Sequence, residues 1–166
     1  TRIDGIKISL LDKTKEIALR RELPPSVRMY TGDDFDFAEL IGGDALGYSD
    51  ALLGIFDAIA PAASAALSEL ASGRRDRFDE ILAPCVPLSR HIFSAPTQFY
   101  KTGIVFMAWL NGYQKEFVML GGQETKRSLP HLAEIFRLAV RAQLLQDPEL
   151  AVTRMDTLCR AEGITV

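Results

Sequence analysis

The segment at residues 3–10, IDGIKISL, is a short apolar run with a lysine at its centre. Side chains alternate between the two faces of a strand, so Ile6, Ile8 and Leu10 share one face and Lys7 lies on the other. The alternation predicts a β-strand. Buried parallel strands are usually apolar on both faces, which makes a central lysine unusual.

Two small residues, Gly5 and Ser9, flank Lys7 on its own face of the strand. They leave open space around the amine, and apolar walls there would favour its neutral form. A neutral lysine can attack a carbonyl group and form a Schiff base. The alternative is an edge strand whose lysine points into water and discourages unwanted strand pairing.

Length and composition indicate one packed domain of 166 residues and 18.3 kDa, with 48% hydrophobic and 25% charged residues. The net charge is −3, and the short basic cluster at Arg74–Arg77 is typical of a solvated loop between helices. We therefore expect no nucleic-acid partner.

The cysteines, Cys85 and Cys159, lack the spacing of metal or redox motifs and are typical of buried thiols in a reducing compartment. No apolar run approaches the ~18 residues that a membrane span requires, and no secretory signal is visible. We expect a cytoplasmic protein without a membrane partner. Because the sequence begins with Thr1 rather than methionine, we expect a processed product or a piece of a longer protein.

The first part of the chain, residues 1–56, alternates strand and helix signals. Such alternation is typical of β-α units with parallel strands. Strands are predicted at 3–10, 27–31 and 51–55, and helices at 12–21 and from residue 35 onward. Residues 57–166 are predicted to be helical, in segments 58–72, 77–93, 97–110, 129–145 and from 148 onward, with the second segment broken at its prolines.

Three short parallel strands would leave long unpaired edges, which proteins avoid. The residues therefore predict that more of the sheet is supplied by a segment before Thr1 or by another chain.

Three motifs carry a resemblance to a known family: DGIKIS at residues 4–9, YTGDD at 30–34 and ALLGI at 51–55. Their order and spacing resemble the dihydrodipicolinate synthase and N-acetylneuraminate lyase superfamily, which are (β/α)8 barrels with extra C-terminal helices. Residues 78–93 and 101–112 resemble helices of that extension. The chain resembles most closely a bacterial subfamily of unassigned function.

The resemblance implies an α/β fold that forms the C-terminal part of a (β/α)8 TIM barrel. Barrel strands six to eight would occupy residues 1–56. The last barrel helix and the C-terminal helical extension would occupy residues 57–166. The missing partner of this piece would be the N-terminal half of the barrel or another chain.

The resemblance also implies site residues. Lys7 matches the Schiff-base lysine, and Gly32 matches a glycine whose backbone lines the substrate pocket. Asp33 would lie closer to the pocket mouth than Asp34, while Leu52 and Leu53 (both in strand eight) would lie beside the substrate. All of them are expected at the carboxyl ends of barrel strands.

Two departures from the family limit what the resemblance implies. The proton-relay tyrosine and the carboxylate-binding pair of the family belong to earlier strands, which would precede Thr1. The connection to strand eight, ending at residues 48–50, is also longer than the family norm. The substrate is therefore left open, and we expect this chain alone to be inactive.

Other candidate residues have ordinary structural explanations. Asp33, Asp34 and Asp36 could form a Mg²⁺ site, but acidic residues at a helix start are common caps. Lys101 could be a rival nucleophile, although a lysine in an apolar helix usually extends to solvent. Tyr30 could donate a proton, and packing is the simpler role.

The function expected from these residues is that of a class I aldolase-like lyase. Its substrate would be a small keto acid or a sugar-derived carbonyl compound, and no metal or organic cofactor is needed. We expect a homo-oligomer. Two alternatives remain: a non-catalytic helical module at 57–166 for oligomerisation or partner binding, and a barrel enzyme that uses acid–base groups with a metal.

Overall fold

The computed structural model describes residues 3–164 and divides the chain into two compact units, one ending at Ser89 and one beginning at Arg90. The predicted division at residue 56 separated barrel strands from a helical extension, and it stays a prediction. Among residues 3–164, none of the helices combines the length and the apolar character that a membrane crossing requires.

The first unit is an α/β structure. Its elements are β1 (Gly5–Ile8), α1 (Lys13–Glu22), β2 (Arg28–Thr31), α2 (Phe37–Gly42), β3 (Asp50–Ala51), α3 (Phe56–Ala71), α4 (Arg75–Leu82) and most of α5 (Cys85–Ile92). The three strands form a parallel sheet in the order β1-β2-β3. The prediction of an α/β chain with parallel strands is confirmed.

The strand register shows which side chains share each face of the sheet. Ile6 pairs with Met29, and Met29 is only 3% exposed, so this face packs into the core of the unit. On the opposite face Lys7 pairs with Tyr30, and Tyr30 pairs with Asp50. The predicted alternation of Ile6 and Lys7 is therefore present.

Two predicted strands are shorter than expected. β1 ends at Ile8, so Leu10 leaves the alternation and is 60% exposed instead of sharing the face of Ile6. β3 contains only Asp50–Ala51, because the chain then turns into α3 and buries Ile55 at the start of that helix. Both errors arise where an apolar residue next to a strand end was taken as part of the strand.

Helix boundaries follow local signals. Asp12 caps α1, since its side chain accepts a hydrogen bond from the Lys15 backbone N–H at 3.3 Å. Helices α4 and α5 are separate, as the prolines predict, and the break falls at residues 83–84. Asp147 caps α8 in the same way as Asp12 caps α1, with Pro148 as the first helical residue.

The second unit is helical. It contains the end of α5, α6 (Tyr100–Leu110), α7 (Leu129–Arg141) and α8 (Pro148–Ala161), with 3₁₀ segments at Thr97–Phe99 and Leu120–Lys126. Gly103 allows close packing of its helices, because a Cβ there would come within 3.0 Å of side-chain atoms of Ile92 and Ile135. Arg127 donates hydrogen bonds to backbone carbonyls at residues 92, 94, 95 and 96.

Candidate functional site

Lys7 and Gly32 lie against each other. A Cβ on Gly32 would come within 2.6 Å of Lys7 Cε and 3.0 Å of the Ile8 carbonyl oxygen, so only glycine fits without displacement of these atoms. The Gly32 backbone N–H also donates to the Ile8 carbonyl at 2.6 Å, which extends the sheet pairing by one residue. The structure thus brings together the two residues that the motifs singled out first.

The position of this contact within the sheet is defined by the strands. Gly32 follows Thr31, the last residue of β2, so the aliphatic chain of Lys7 runs towards the carboxyl end of the sheet. Ser9 belongs to the same neighbourhood, since its Oγ is also close to the Cβ position of Gly32. The aliphatic chain of Lys7, the Ser9 hydroxyl and the backbone of Gly32 therefore lie next to one another.

Lys7 is exposed within the part of the chain that the structure describes. Its register neighbours on that face, Tyr30 and Asp50, are half-buried, and Arg28 one pleat away is exposed. Residues 3–164 therefore do not enclose the amine in apolar walls, in contrast to the expectation from the strand pattern. The face of the sheet that carries Lys7 is open.

Asp33 is buried, with an exposed fraction of 1%, and does not lie at an open pocket mouth. Its Oδ1 accepts hydrogen bonds from the backbone N–H groups of Phe35 at 2.8 Å and Asp36 at 2.9 Å. These bonds stabilise the turn at residues 34–36 that leads into α2, whose N-cap residue is Asp36. Asp33 Oδ2 is buried and has no hydrogen-bond partner among residues 3–164.

Asp34 connects the end of β2 to two later segments of the unit. Its Oδ1 accepts a hydrogen bond from the Ile55 N–H at 2.7 Å, and its carbonyl accepts one from the Ser89 hydroxyl at 2.5 Å. Burial raises the pKa of this carboxyl to about 6, while the Ile55 hydrogen bond and the charge of Lys7 act in the opposite direction. Asp34 is therefore an acid that can hold or release a proton near neutral pH.

Glu16 is a buried acid that the sequence reasoning missed. It projects from α1, is 1% exposed, and accepts hydrogen bonds from the hydroxyls of Thr31 at 2.9 Å and Ser49 at 2.7 Å. Burial raises its pKa, and the two hydroxyls partly oppose that effect. Thr31 was the available signal, because a hydroxyl on the core face of a strand needs an acceptor.

Leu52 and Leu53 follow β3, at the carboxyl end of the sheet. Leu52 is 52% exposed, and its backbone N–H donates to the Thr31 carbonyl at 3.0 Å. Leu53 is half-buried. These residues lie on the same end of the sheet as Gly32, as the motifs predict, and Leu52 presents an apolar side chain to solvent there.

The other candidates from the sequence are Tyr30, Lys101 and a metal site. The Tyr30 hydroxyl donates to Asp4 Oδ2 at 2.9 Å, and its ring covers Gly5, so it faces the amino end of β1. Lys101 is exposed on α6. Within the described residues, no group of three or more His, Cys, Asp or Glu side chains is arranged to hold a metal ion.

Comparison with known proteins gives a family but no activity. No curated protein is significantly similar to this chain. One family model matches residues 1–164, nearly the full length of the sequence, and its description is "Protein of unknown function (DUF993)". The chain belongs to the DUF993 family.

Proposed function

We propose that the three strands are consecutive strands of a (β/α)8 barrel, equivalent to its strands six to eight. Their sequential parallel order, with one helix between successive strands, is the arrangement of neighbouring strands in such a barrel and supports this. Within residues 3–164 the outer edges of β1 and β3 have no strand partner. A barrel removes such edges by pairing them with further strands.

The two faces of the sheet support the same proposal. In a barrel, alternate side chains point to the interior and to the surrounding helices. Met29 and Thr31 are buried on one face, as expected for the helix side. The face of Lys7 is open in this chain, as expected for a barrel interior whose other strands come from outside the described residues.

We further propose that this protein is a Schiff-base enzyme of the aldolase or lyase type, with Lys7 as its nucleophile. The observation that carries the proposal is the packing of Lys7 Cε against the backbone of Gly32 beside the carboxyl end of β2. Enzymes of this architecture keep their reacting groups at that end of the strands. The absence of a side chain at Gly32 makes room for the Lys7 chain itself, so that the lysine can extend along the backbone towards that end of the sheet.

The proposed reaction begins when Lys7 Nζ adds to the carbonyl carbon of a small keto acid or aldehyde. Loss of water gives a protonated imine, which accepts the electron pair released when the adjacent carbon–carbon bond breaks. The same imine stabilises the reverse reaction or the loss of water from a neighbouring carbon. Bond cleavage leaves an enamine, which takes a proton from water at carbon to become a protonated imine again. Addition of water to that imine releases the product carbonyl compound and returns the free amine. The imine itself supplies the electrophile for these steps.

Reductive trapping tests the nucleophile. The intact protein is incubated with a panel of small 2-keto acids and aldehydes, borohydride is added, and the modified peptide is located by mass spectrometry. We expect one predominant covalent adduct, on Lys7. Lys7→Ala is expected to abolish it, and Lys15→Ala, which removes a solvent-exposed lysine of α1, is the matched control.

The same experiment distinguishes the alternatives. Adduct formation spread evenly over the exposed lysines, or full trapping by Lys7→Ala, would refute the Schiff-base proposal and favour a non-catalytic module. Trapping that is specific to Lys7 would exclude a role for this lysine as a mere edge-strand charge.

A further inference from the structure

Parallel pairing continues one residue beyond the three strands and aligns Ser9, Gly32 and Leu52 in a row at the carboxyl end of the sheet. The Gly32 N–H donates to the Ile8 carbonyl at 2.6 Å, and the Leu52 N–H donates to the Thr31 carbonyl at 3.0 Å. Ile8 and Thr31 are register partners, so the residues that follow them lie side by side. Gly32 is therefore flanked by Ser9 towards β1 and by Leu52 towards β3.

This row lies on the face of the sheet that carries Lys7. Gly32 comes two residues after Tyr30, the register partner of Lys7. Leu52 comes two residues after Asp50, which pairs with Tyr30. Residues two apart on a strand share a face. Lys7 Cε lies 2.6 Å from the Cβ position of Gly32, so the amine that it bears lies beside the middle of the row.

The two sides of the row differ in polarity. Towards β1 the row presents the Ser9 hydroxyl, whose Oγ is close to the Cβ position of Gly32. Towards β3 it presents the side chain of Leu52, about 4.8 Å from Gly32, which is the spacing of neighbouring strands. A substrate group held over β3 next to Lys7 therefore meets an apolar wall. A hydroxyl at that place would lose its hydrogen bonds to water and gain none from leucine.

The acids that follow β2 do not change the polarity of this place. The Lys7 face is open among residues 3–164, so a side chain that pointed into the space above it would be exposed. Asp33 and Asp34 are only 1% and 5% exposed. Their Oδ1 atoms accept hydrogen bonds from the N–H groups of Phe35 and Ile55, respectively. The charge of Lys7 reaches Asp34, but both carboxyls are held within the body of the unit.

On the basis of the Schiff-base function proposed above, we propose that the substrate is a 2-keto acid or aldehyde whose carbonyl carbon carries an apolar substituent, packed against Leu52. Leu52 sets the specificity on this side of Lys7, and it disfavours hydroxylated, sugar-derived compounds. Strands that complete the barrel would add further walls to the site. They would leave unchanged the register that puts Leu52 next to Gly32.

Two keto acids of the same size test this specificity: 2-oxobutanoate, which ends in a methyl group, and 3-hydroxypyruvate, which has a hydroxyl in its place. The intact protein is incubated with each compound over a range of concentrations and reduced with borohydride, and the adduct on Lys7 is quantified by mass spectrometry. We expect the half-saturating concentration of 3-hydroxypyruvate to be about tenfold higher, because its hydroxyl is buried without a partner.

Leu52→Asn replaces the leucine by a polar side chain of similar size. In this variant the half-saturating concentrations of the two compounds should become about equal, since the amide can hydrogen-bond the hydroxyl. Leu46→Asn is the matched control, because it makes the same change at a 74% exposed leucine before the amino end of β3. It should keep the tenfold difference. Far-ultraviolet circular dichroism verifies that both variants are folded.

The outcomes separate this inference from the function on which it rests. Equal half-saturating concentrations in the native protein, or a tenfold difference that survives Leu52→Asn, would overturn the specificity assigned to Leu52 and leave Lys7 as the nucleophile. Loss of the difference in Leu46→Asn as well would also overturn it. Absence of any adduct on Lys7 would refute the Schiff-base function and, with it, this inference.

Discussion

Asp34 is a carboxylic acid that is 5% exposed at the end of β2, and its replacement by asparagine is expected to change how stability depends on pH. Burial raises the pKa of this carboxyl in the folded protein to about 6, from an ordinary value of 3.8. The folded protein therefore binds the proton more tightly than the unfolded chain. Stability from this group is complete below pH 3.8 and is lost as the pH rises through about 6.

The size of the effect follows from the two pKa values. Each unit of difference corresponds to about 1.4 kcal/mol, so the full effect is about 3 kcal/mol, of which the native protein should lose about 2 kcal/mol between pH 4.5 and pH 7.5. Asp34→Asn keeps an oxygen that can accept the hydrogen bond from Ile55, but it cannot ionise. The stability of the variant relative to the native protein should therefore rise by about 2 kcal/mol over the same range.

Urea denaturation followed by far-ultraviolet circular dichroism measures this difference at half-unit steps from pH 4.5 to pH 7.5. The test is how the stability difference between Asp34→Asn and the native protein changes with pH. Its absolute size is not the test, because the substitution also changes packing at every pH. His131, whose burial lowers its pKa to about 4, has the opposite effect on the stability of the native protein at acidic pH. Because both proteins contain His131, its contribution cancels when the stability of the native protein is subtracted from that of the variant at each pH. A difference that stays constant across the range would refute the buried-acid reasoning.

Three further predictions test other parts of the structure. Glu16→Ala should lower the free energy of unfolding, measured by urea denaturation, by about 2–4 kcal/mol, because two buried hydroxyls lose their acceptor. The control Glu22→Ala, on the exposed side of the same helix, should lower it by less than about 0.5 kcal/mol. Equal losses would contradict the role of the buried acid. Gly32→Ala should slow borohydride trapping on Lys7 about tenfold or more, because the new methyl group displaces the amine chain, and an unchanged trapping rate would contradict the contact. Arg127→Met should destabilise the second unit by about 3 kcal/mol or more, because the backbone carbonyls bound by Arg127 lose their shared donor. Unfolding of this unit is followed by tryptophan fluorescence. A loss of stability below about 1 kcal/mol would show that these hydrogen bonds are dispensable.

Local patterns in the sequence predicted most of the secondary structure. The lysine strand, the capped helix after Asp12, the strand that ends at Thr31 and the break at Pro84 all depend on residues that lie within a few positions of one another. Such signals need no information about distant segments. The two strand ends that were wrong, at Leu10 and after Ala51, are places where only tertiary packing decides how far pairing extends.

The motifs also predicted which residues lie near Lys7. Gly32 directly follows a strand that is adjacent to the lysine strand, and parallel pairing then brings their carboxyl ends together. The sequence could not predict that Asp33 turns inward, since an aspartate after a strand can either stabilise the following turn or face a pocket. In the structure the backbone N–H groups of Phe35 and Asp36 both reach Asp33 Oδ1, and these bonds hold the side chain inside.

The sequence by itself determined the alternation of strands and helices, the faces of β1 and the placement of Lys7 and Gly32 on or beside adjacent parallel strands. Only the tertiary structure decided which acids are buried and which arginines share a carboxylate. Glu16 meets hydroxyls 15 and 33 residues away, and Arg20 shares Asp44 with its neighbour across 24 residues. Burial and charge balance depend on every segment that packs around a group, and a linear pattern does not contain those distances.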